Sequence, residues 1–269
     1  MRLLILLFTS SLLSWAVSAS ESSCPSKPIA PIQDQLPDFT KVDLAPKHNA
    51  KREAEITNWW AASCPNFSQQ KVKRYRQDNL ICRLSGNSER TLVVGAHYDK
   101  VSAGYGVADN WSGVLLLDAL MQHFTQSQNH GKRTLSLEFV AFAAEEDGLF
   151  GSKAYIQQLE HPVIGMINLD TIGLTDLIID GGSDANLSCR AREIARQLDI
   201  VVNQQRWRAL SSDWERFEKA GIPAIGIHSV NKRTVRRIHH KRDKAGNVDL
   251  KRMSEAYVLI RHLVDDLTL

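Results

Sequence analysis

The chain has 269 residues, 43% of them hydrophobic, which is enough to bury a full core, and one α/β domain is the default for this length. A net charge of +3 is too small to imply a polyanionic partner, and no segment beyond the N-terminus could span a bilayer. A polytopic membrane protein and a chain that works by bulk positive charge are both excluded.

Residues 1–19, MRLLILLFTSSLLSWAVSA, put one Arg ahead of an apolar stretch and carry small residues at Val17 and Ala19, the pattern of a secretory signal cleaved after Ala19. The alternative is a membrane anchor, but the apolar stretch is shorter than the roughly 20 residues a span needs. A lipid anchor would need an aliphatic residue shortly before the cysteine, and Glu21, Ser22 and Ser23 precede Cys24 instead. The expectation is an exported protein without a membrane span, periplasmic or extracellular.

Residues 20–52, with Pro25, Pro28, Pro31, Pro37 and Pro46, form an irregular N-terminal lead, and a catalytic domain is expected over 53–269. The four cysteines, Cys24, Cys64, Cys82 and Cys189, show neither CxxC pairing nor zinc-finger spacing and point to disulfides. Three pairings are possible. Cys64 with Cys82 is preferred, because the two are nearest in sequence and flank a polar, basic, helix-like segment; free buried thiols are the alternative.

Apolar runs then alternate with helical patterns. TLVVGAHY (91–98), a helix from Ser112 to His123, TLSLEFVAFAA (134–144), a helix from Ser152 to Leu159 and VIGMINLD (163–170) come first. LIIDGG (177–182), a helix from Ala185 to Leu198, a strand near IVVNQQRW (200–207), IPAIGIHS (222–229) and a helix from Leu250 to Leu267 complete an α/β pattern. The basic run NKRTVRRIHHKRDK (231–244) lacks interleaved aromatics and is a solvated loop, so no nucleic-acid partner is expected.

Ligands in open α/β sheets bind outside the carboxyl ends of the strands. Here those ends are rich in acids and imidazoles. The first run ends in His97 and Asp99, Asp109 follows in GVADNWSG, the second ends in Glu145 and Glu146, the third in Asp170, and His239–His240 follow IPAIGIHS. Several carboxylates at one site oppose each other's ionisation unless protons or cations neutralise them. Mixed imidazole and carboxylate donors suit Zn²⁺ best. The chain has no GxSxG elbow, no HExxH and no Walker loop, and GYGVAD lacks the third glycine of a dinucleotide fingerprint.

Taken in order, GAHYD, ADNWSGV, FVAFAAEEDGLFGS, INLDTIG and SDWERFEKAGIPAIGI followed by IHHKRDK resemble the secreted co-catalytic zinc aminopeptidases of the MH peptidase clan, to which glutaminyl cyclases are related. The resemblance covers roughly residues 90–260. It implies a three-layer, phosphorylase/hydrolase-like fold with a mostly parallel mixed sheet between helices, and two Zn²⁺ ions per chain. Asp109 would bridge the ions, with His97 and Asp170 completing one site and Glu146 and His239 the other. Asp99 would orient the His97 imidazole, and Glu145 would be the general base that takes a proton from a zinc-activated water. Peptides with a free N-terminus would be the substrates.

The chain departs from the family pattern in two places. Ser212, Asp213 and Trp214 stand where members read SDH or a similar triplet, with Asp213 and Trp214 as candidate walls of a substrate pocket and a core tryptophan as the other reading of Trp214. Ile238-His239-His240 stands where members read Tyr-His-Thr; His240 could replace His239, but the spacing to Asp243 favours His239. A glutaminyl-peptide cyclotransferase with a single catalytic zinc is the alternative activity, and a binding domain that keeps only the fold is the third. The DN dipeptide in ADNWSG favours the peptidase.

Overall fold

The computed structural model describes residues 24, 28–29, 35–127, 130–206 and 211–269. The signal-like segment 1–19 lies outside the described residues, as does Trp207. A 3-10 turn at Thr40–Leu44 precedes the first helix, α1 (Asn49–Ser63), so regular structure begins ahead of Glu53. The strands are β1 (Phe67–Gln70), β2 (Asn79–Leu84), β3 (Thr91–His97), β4 (Ser136–Phe142), β5 (Val163–Asp170), β6 (Leu177–Asp180), β7 (Val202–Gln205) and β8 (Ala224–His228). The remaining helices are α2 (Ser112–Gln126), α3 (Phe150–Gln157), α4 (Ala185–Gln197), α5 (Trp214–Lys219) and α6 (Leu250–Thr268).

All eight strands join one sheet in the order β1-β2-β4-β3-β5-β8-β6-β7. β4, β3, β5 and β8 run parallel, β1 and β2 add antiparallel at one edge, and β6 and β7 are parallel to each other but antiparallel to β8. The central strands read as unbroken apolar runs because both faces are covered. Successive residues still divide between the faces. Leu92, Val94 and Ala96 of β3 join the larger core with α2, α4 and α6, whereas Val93 joins a smaller core with Tyr155 of α3 and Trp214 and Phe217 of α5. The sheet therefore lies between two helical layers.

Local chemistry fixes the helix starts. The Asp184 carboxylate accepts the N–H groups of Asn186 and Leu187 at the head of α4, and Asp249 accepts that of Lys251 at the head of α6; such caps contribute about 1 kcal/mol each. Two disulfides, Cys64–Cys82 and Cys24–Cys189, use all four cysteines. The segment between Cys64 and Cys82 is not helical, as its composition suggests, but a hairpin of β1 and β2. Pairing of Phe67 with Cys82 across that hairpin brings the second cysteine beside the end of α1. Among the described residues no helix is long and apolar enough to cross a membrane.

Candidate active site

Strands and adjoining turns deliver the polar cluster to one end of the sheet. β3 ends on His97 and β5 on Asp170, while Glu145 and Glu146 follow β4 after Ala143 and Ala144. Asp109 lies in a wide turn, Val107–Trp111, that leads into α2, and its peptide bond to Asn110 is cis. His239 comes from the turn-rich segment after β8. Ala144, Thr171 and His239 have φ of 52°, 57° and 55°. Non-glycine residues in this left-handed region are costly, and three of them flank or belong to the cluster, a placement typical of a site whose surroundings over-determine the backbone.

The donor atoms form one continuous chain with Asp109 in the middle. His97 Nε2 stands 3.5 Å from Asp170 Oδ1 and 3.2 Å from Asp109 Oδ1; Asp109 Oδ2 stands 3.1 Å from His239 Nε2, which is 2.8 Å from Glu146 Oε2. One donor atom each from His97, Asp109 and Glu146 lies within 4.8 Å of the others, and the same holds for His97, Glu145 and Asp170. The first of these groups links residues that the resemblance assigns to different ions, and the second includes Glu145. His240 contributes nothing to the chain: its Nδ1 accepts the N–H of Arg242.

A layer of hydrogen bonds beneath the chain holds it. The Asp99 carboxylate accepts the N–H of Glu145 at 3.0 Å and of Glu146 at 3.1 Å, and its Oδ1 is 3.6 Å from His97 Nδ1. Thr171 and Ser212 each donate a hydroxyl to Asp170, at 2.9 and 2.6 Å. The fully buried Asn110 donates to the Leu169 carbonyl and accepts the N–H groups of Gly113 and Thr171, so it ties the Asp109 turn to the head of α2 and to the end of β5.

Two residues that sequence reasoning gave no role complete this layer. The Asp243 carboxylate accepts the N–H of Ala108 at 2.6 Å and of Asp109 at 3.2 Å. Arg52, buried within the N-terminal lead, donates to the carbonyls of Pro46, Tyr98, Tyr105 and Gly106 and stacks on Trp111 at 5.3 Å. Burial pushes its guanidinium down only to about 10, with Asp243 and Asp109 opposing, so it remains charged at neutral pH.

The electrostatics are those of crowded acids. Burial pushes Glu145 well above the ordinary glutamate range; His97 opposes the shift and Asp170, Asp213 and Asp109 add to it. Burial would also raise Asp109, but hydrogen bonds to His239 and His97 hold it below the usual carboxylate range. Those to Asp109 and Glu146 raise His239 to about 10. Burial alone would lower His97, yet Glu145 and its contacts with Asp109, Asp170 and Asp99 raise it well above normal. Four carboxylates thus share two imidazoles, and Glu146 Oε1 is buried with no hydrogen-bond partner. A divalent cation would complete both the charge and the coordination, and the nitrogen and oxygen donor set fits zinc.

These groups open into a cavity of about 260 Å³. Trp214 is both a wall of this cavity and a member of the smaller core. Asp213 lies behind the wall: it directly precedes α5, is fully buried beside Ser152, and burial raises it to about 7.

Residues 79–264 match the model of peptidase family M28. The chain is 30% identical over 205 residues to a probable leucine aminopeptidase of Arthroderma otae, covering 70% of this chain and 57% of that protein. It spans between 18% and 57% of the length of the first curated relatives it matches. The structure superposes on the LapA aminopeptidase of Legionella pneumophila with a TM-score of 0.68 at 20% identity, covering 81% of this chain and 63% of that one. It superposes on a glutaminyl cyclase of Bacteroides thetaiotaomicron with a TM-score of 0.72 at 14% identity, covering 86% and 99%. At these identities the two superpositions show a common α/β fold.

Proposed function

The chain belongs to peptidase family M28, and on that premise we propose that it is an exported zinc aminopeptidase that removes the N-terminal residue of peptides. The observation that carries the proposal is the unbroken donor chain Asp170, His97, Asp109, His239 and Glu146, with Glu145 beside it in the same cavity. His97 and Asp170 would hold one ion, Glu146 and His239 the other, and Asp109, with an imidazole against each carboxylate oxygen, would serve both. Bound zinc supplies Lewis-acid chemistry, polarising the scissile carbonyl and acidifying a water.

The chain's own residues do the rest. Glu145 accepts the proton of the attacking water and returns it to the leaving amine. Its burial and its backbone hydrogen bond to Asp99 keep the carboxylate aimed into the cavity. The Asp99 backbone carbonyl lies 3.2 Å from His97 Nδ1 and so keeps Nε2 toward the donor chain. The acids at the cavity end receive the free α-amino group of the substrate, which restricts cleavage to the terminal bond.

Export is supported by the signal-like pattern of residues 1–19 and by two disulfides, which need an oxidising compartment. The experiment is hydrolysis of a panel of aminoacyl p-nitroanilides, with activity lost on chelation and restored by Zn²⁺. No hydrolysis of any member by zinc-loaded protein would refute the proposal.

A further inference from the structure

The face of the sheet under α5 carries a row of side chains that the donor chain does not use. In the strand register Asn168 of β5 pairs with Gly226 of β8, and Ile179 of β6 pairs with Ile227, which places Asp180 beside Gly226 on β8's other side. Asn168, Gly226 and Asp180 therefore form one row across three strands, and all three line the cavity. Over Gly226 the Trp214 indole takes the place of a side chain. A Cβ there would stand 2.5 Å from Trp214 Nε1, and one on Gly182 would stand 2.8 Å from the same indole, so only glycine at these positions lets the ring lie against the sheet as one wall of a slot that reaches Asp180.

The slot is the part of the cavity that reaches from the donor chain to Asp180, past His228 and the Trp214 indole. Asn168, at the other end of the row, is closed off: its amide nitrogen donates to Ser212 at 2.7 Å, and its Oδ1 is buried out of reach of the cavity. Asp180 is 7% exposed, spends Oδ1 on the N–H of Gly182, and makes no ion pair with any described residue. A largely buried carboxylate with one oxygen free, in the cavity that begins at the donor chain, calls for a donor-rich cation.

We propose that this slot receives the side chain of a basic N-terminal residue, arginine or lysine, with Asp180 as the specificity-determining carboxylate. The inference rests on the aminopeptidase assignment and adds its substrate class. Asp180 lies two strand spacings across the sheet and two residues along it from Asp170, roughly 12 Å away. A long cationic side chain covers that span when its α-amine is held at the donor chain. A leucyl side chain would leave this carboxylate desolvated and unpaired.

The test is kcat/KM for arginyl, lysyl and leucyl p-nitroanilides on the zinc-loaded protein, together with competitive inhibition by free arginine and free leucine. The expected result is a preference of about tenfold or more for the cationic substrates, and tighter inhibition by arginine than by leucine. Asp180→Asn should reduce that preference by about tenfold or more, chiefly through KM. Preference for the leucyl substrate, with Asp180→Asn changing all three rates in parallel, would overturn the slot while leaving the aminopeptidase assignment intact. Cleavage of none of the three would remove that assignment and the slot with it.

Discussion

Asp99 holds Glu145 by its backbone: one carboxylate oxygen accepts the Glu145 N–H at 3.0 Å, while the other accepts that of Glu146 at 3.1 Å. Its carboxylate also stands 3.6 Å from His97 Nδ1, which pairs with the Asp99 backbone carbonyl at 3.2 Å, so a single residue orients the proposed base and two proposed zinc ligands. Asp99→Asn keeps the shape but loses the charge and one acceptor. We expect kcat to fall about 10–100-fold, with a parallel loss of zinc affinity measured by chelator competition. Both quantities within about twofold of the parent would show that Asp99 does not position the site.

Glu145 and Glu146 are adjacent in sequence but have different partners. Glu146 contacts His239 at 2.8 Å, whereas Glu145 makes no ion pair within 4 Å among the described residues. Glu145→Gln is expected to lower kcat by about 10²–10⁴-fold with the zinc content unchanged. Glu146→Gln should lose zinc as well as rate. Elemental analysis of the two purified variants separates the roles, and equal zinc loss in both would count against the division.

Stability should fall as pH rises through the acid range because of Asp118, which lies away from the donor chain. Burial raises its carboxyl to about 6, against hydrogen bonds from Trp60 and Gln122. Its folded pKa lies above the unfolded value of about 3.9, so the folded state binds the proton more tightly. The associated stability is complete below about pH 4 and lost by about pH 6, on the order of 3 kcal/mol. Asp118→Asn retains an acceptor for the Trp60 indole and should flatten this part of the profile in urea titrations. An unchanged slope would mean that Asp118 is not its source.

Much of this structure was legible in the sequence. VIGMINLD reads as a strand and coincides with β5, and the acids and imidazoles after each apolar run meet in one cavity because parallel strands bring their carboxyl ends together. What escaped has two physical causes. β1, FSQQ, is a half-exposed edge strand with too few apolar residues to show a period, so the hairpin between the cysteines resembled a polar helix. Arg52 and Asp243 act on backbone groups 46 to 54 and 134 to 135 residues away, and no local pattern marks a side chain whose partner is a distant amide or carbonyl. Asp180 escaped for a related reason: its place beside the site depends on β6 running antiparallel to β8.

The Cys64–Cys82 bridge closes a sequence separation of 18 residues between the end of α1 and β2. A loop of this size constrains the unfolded chain by about 3 kcal/mol. Oxidised protein should show no reactive thiol after denaturation, and Cys64→Ala/Cys82→Ala should unfold at a lower temperature. Four titratable thiols in protein from an oxidising compartment would contradict both bridges.

The central claim is that Asp109 serves two ions at once in a peptide-cleaving site, and zinc stoichiometry measured on the same sample as product identity tests it most directly. The account requires close to two zinc ions per chain after reconstitution, and free N-terminal amino acids released from peptides by that sample. Asp109→Asn should lower both the stoichiometry and the release. One zinc per chain, no cleavage of any aminoacyl substrate, and conversion of N-terminal glutamine to pyroglutamate would contradict the account and identify a glutaminyl cyclase in its place.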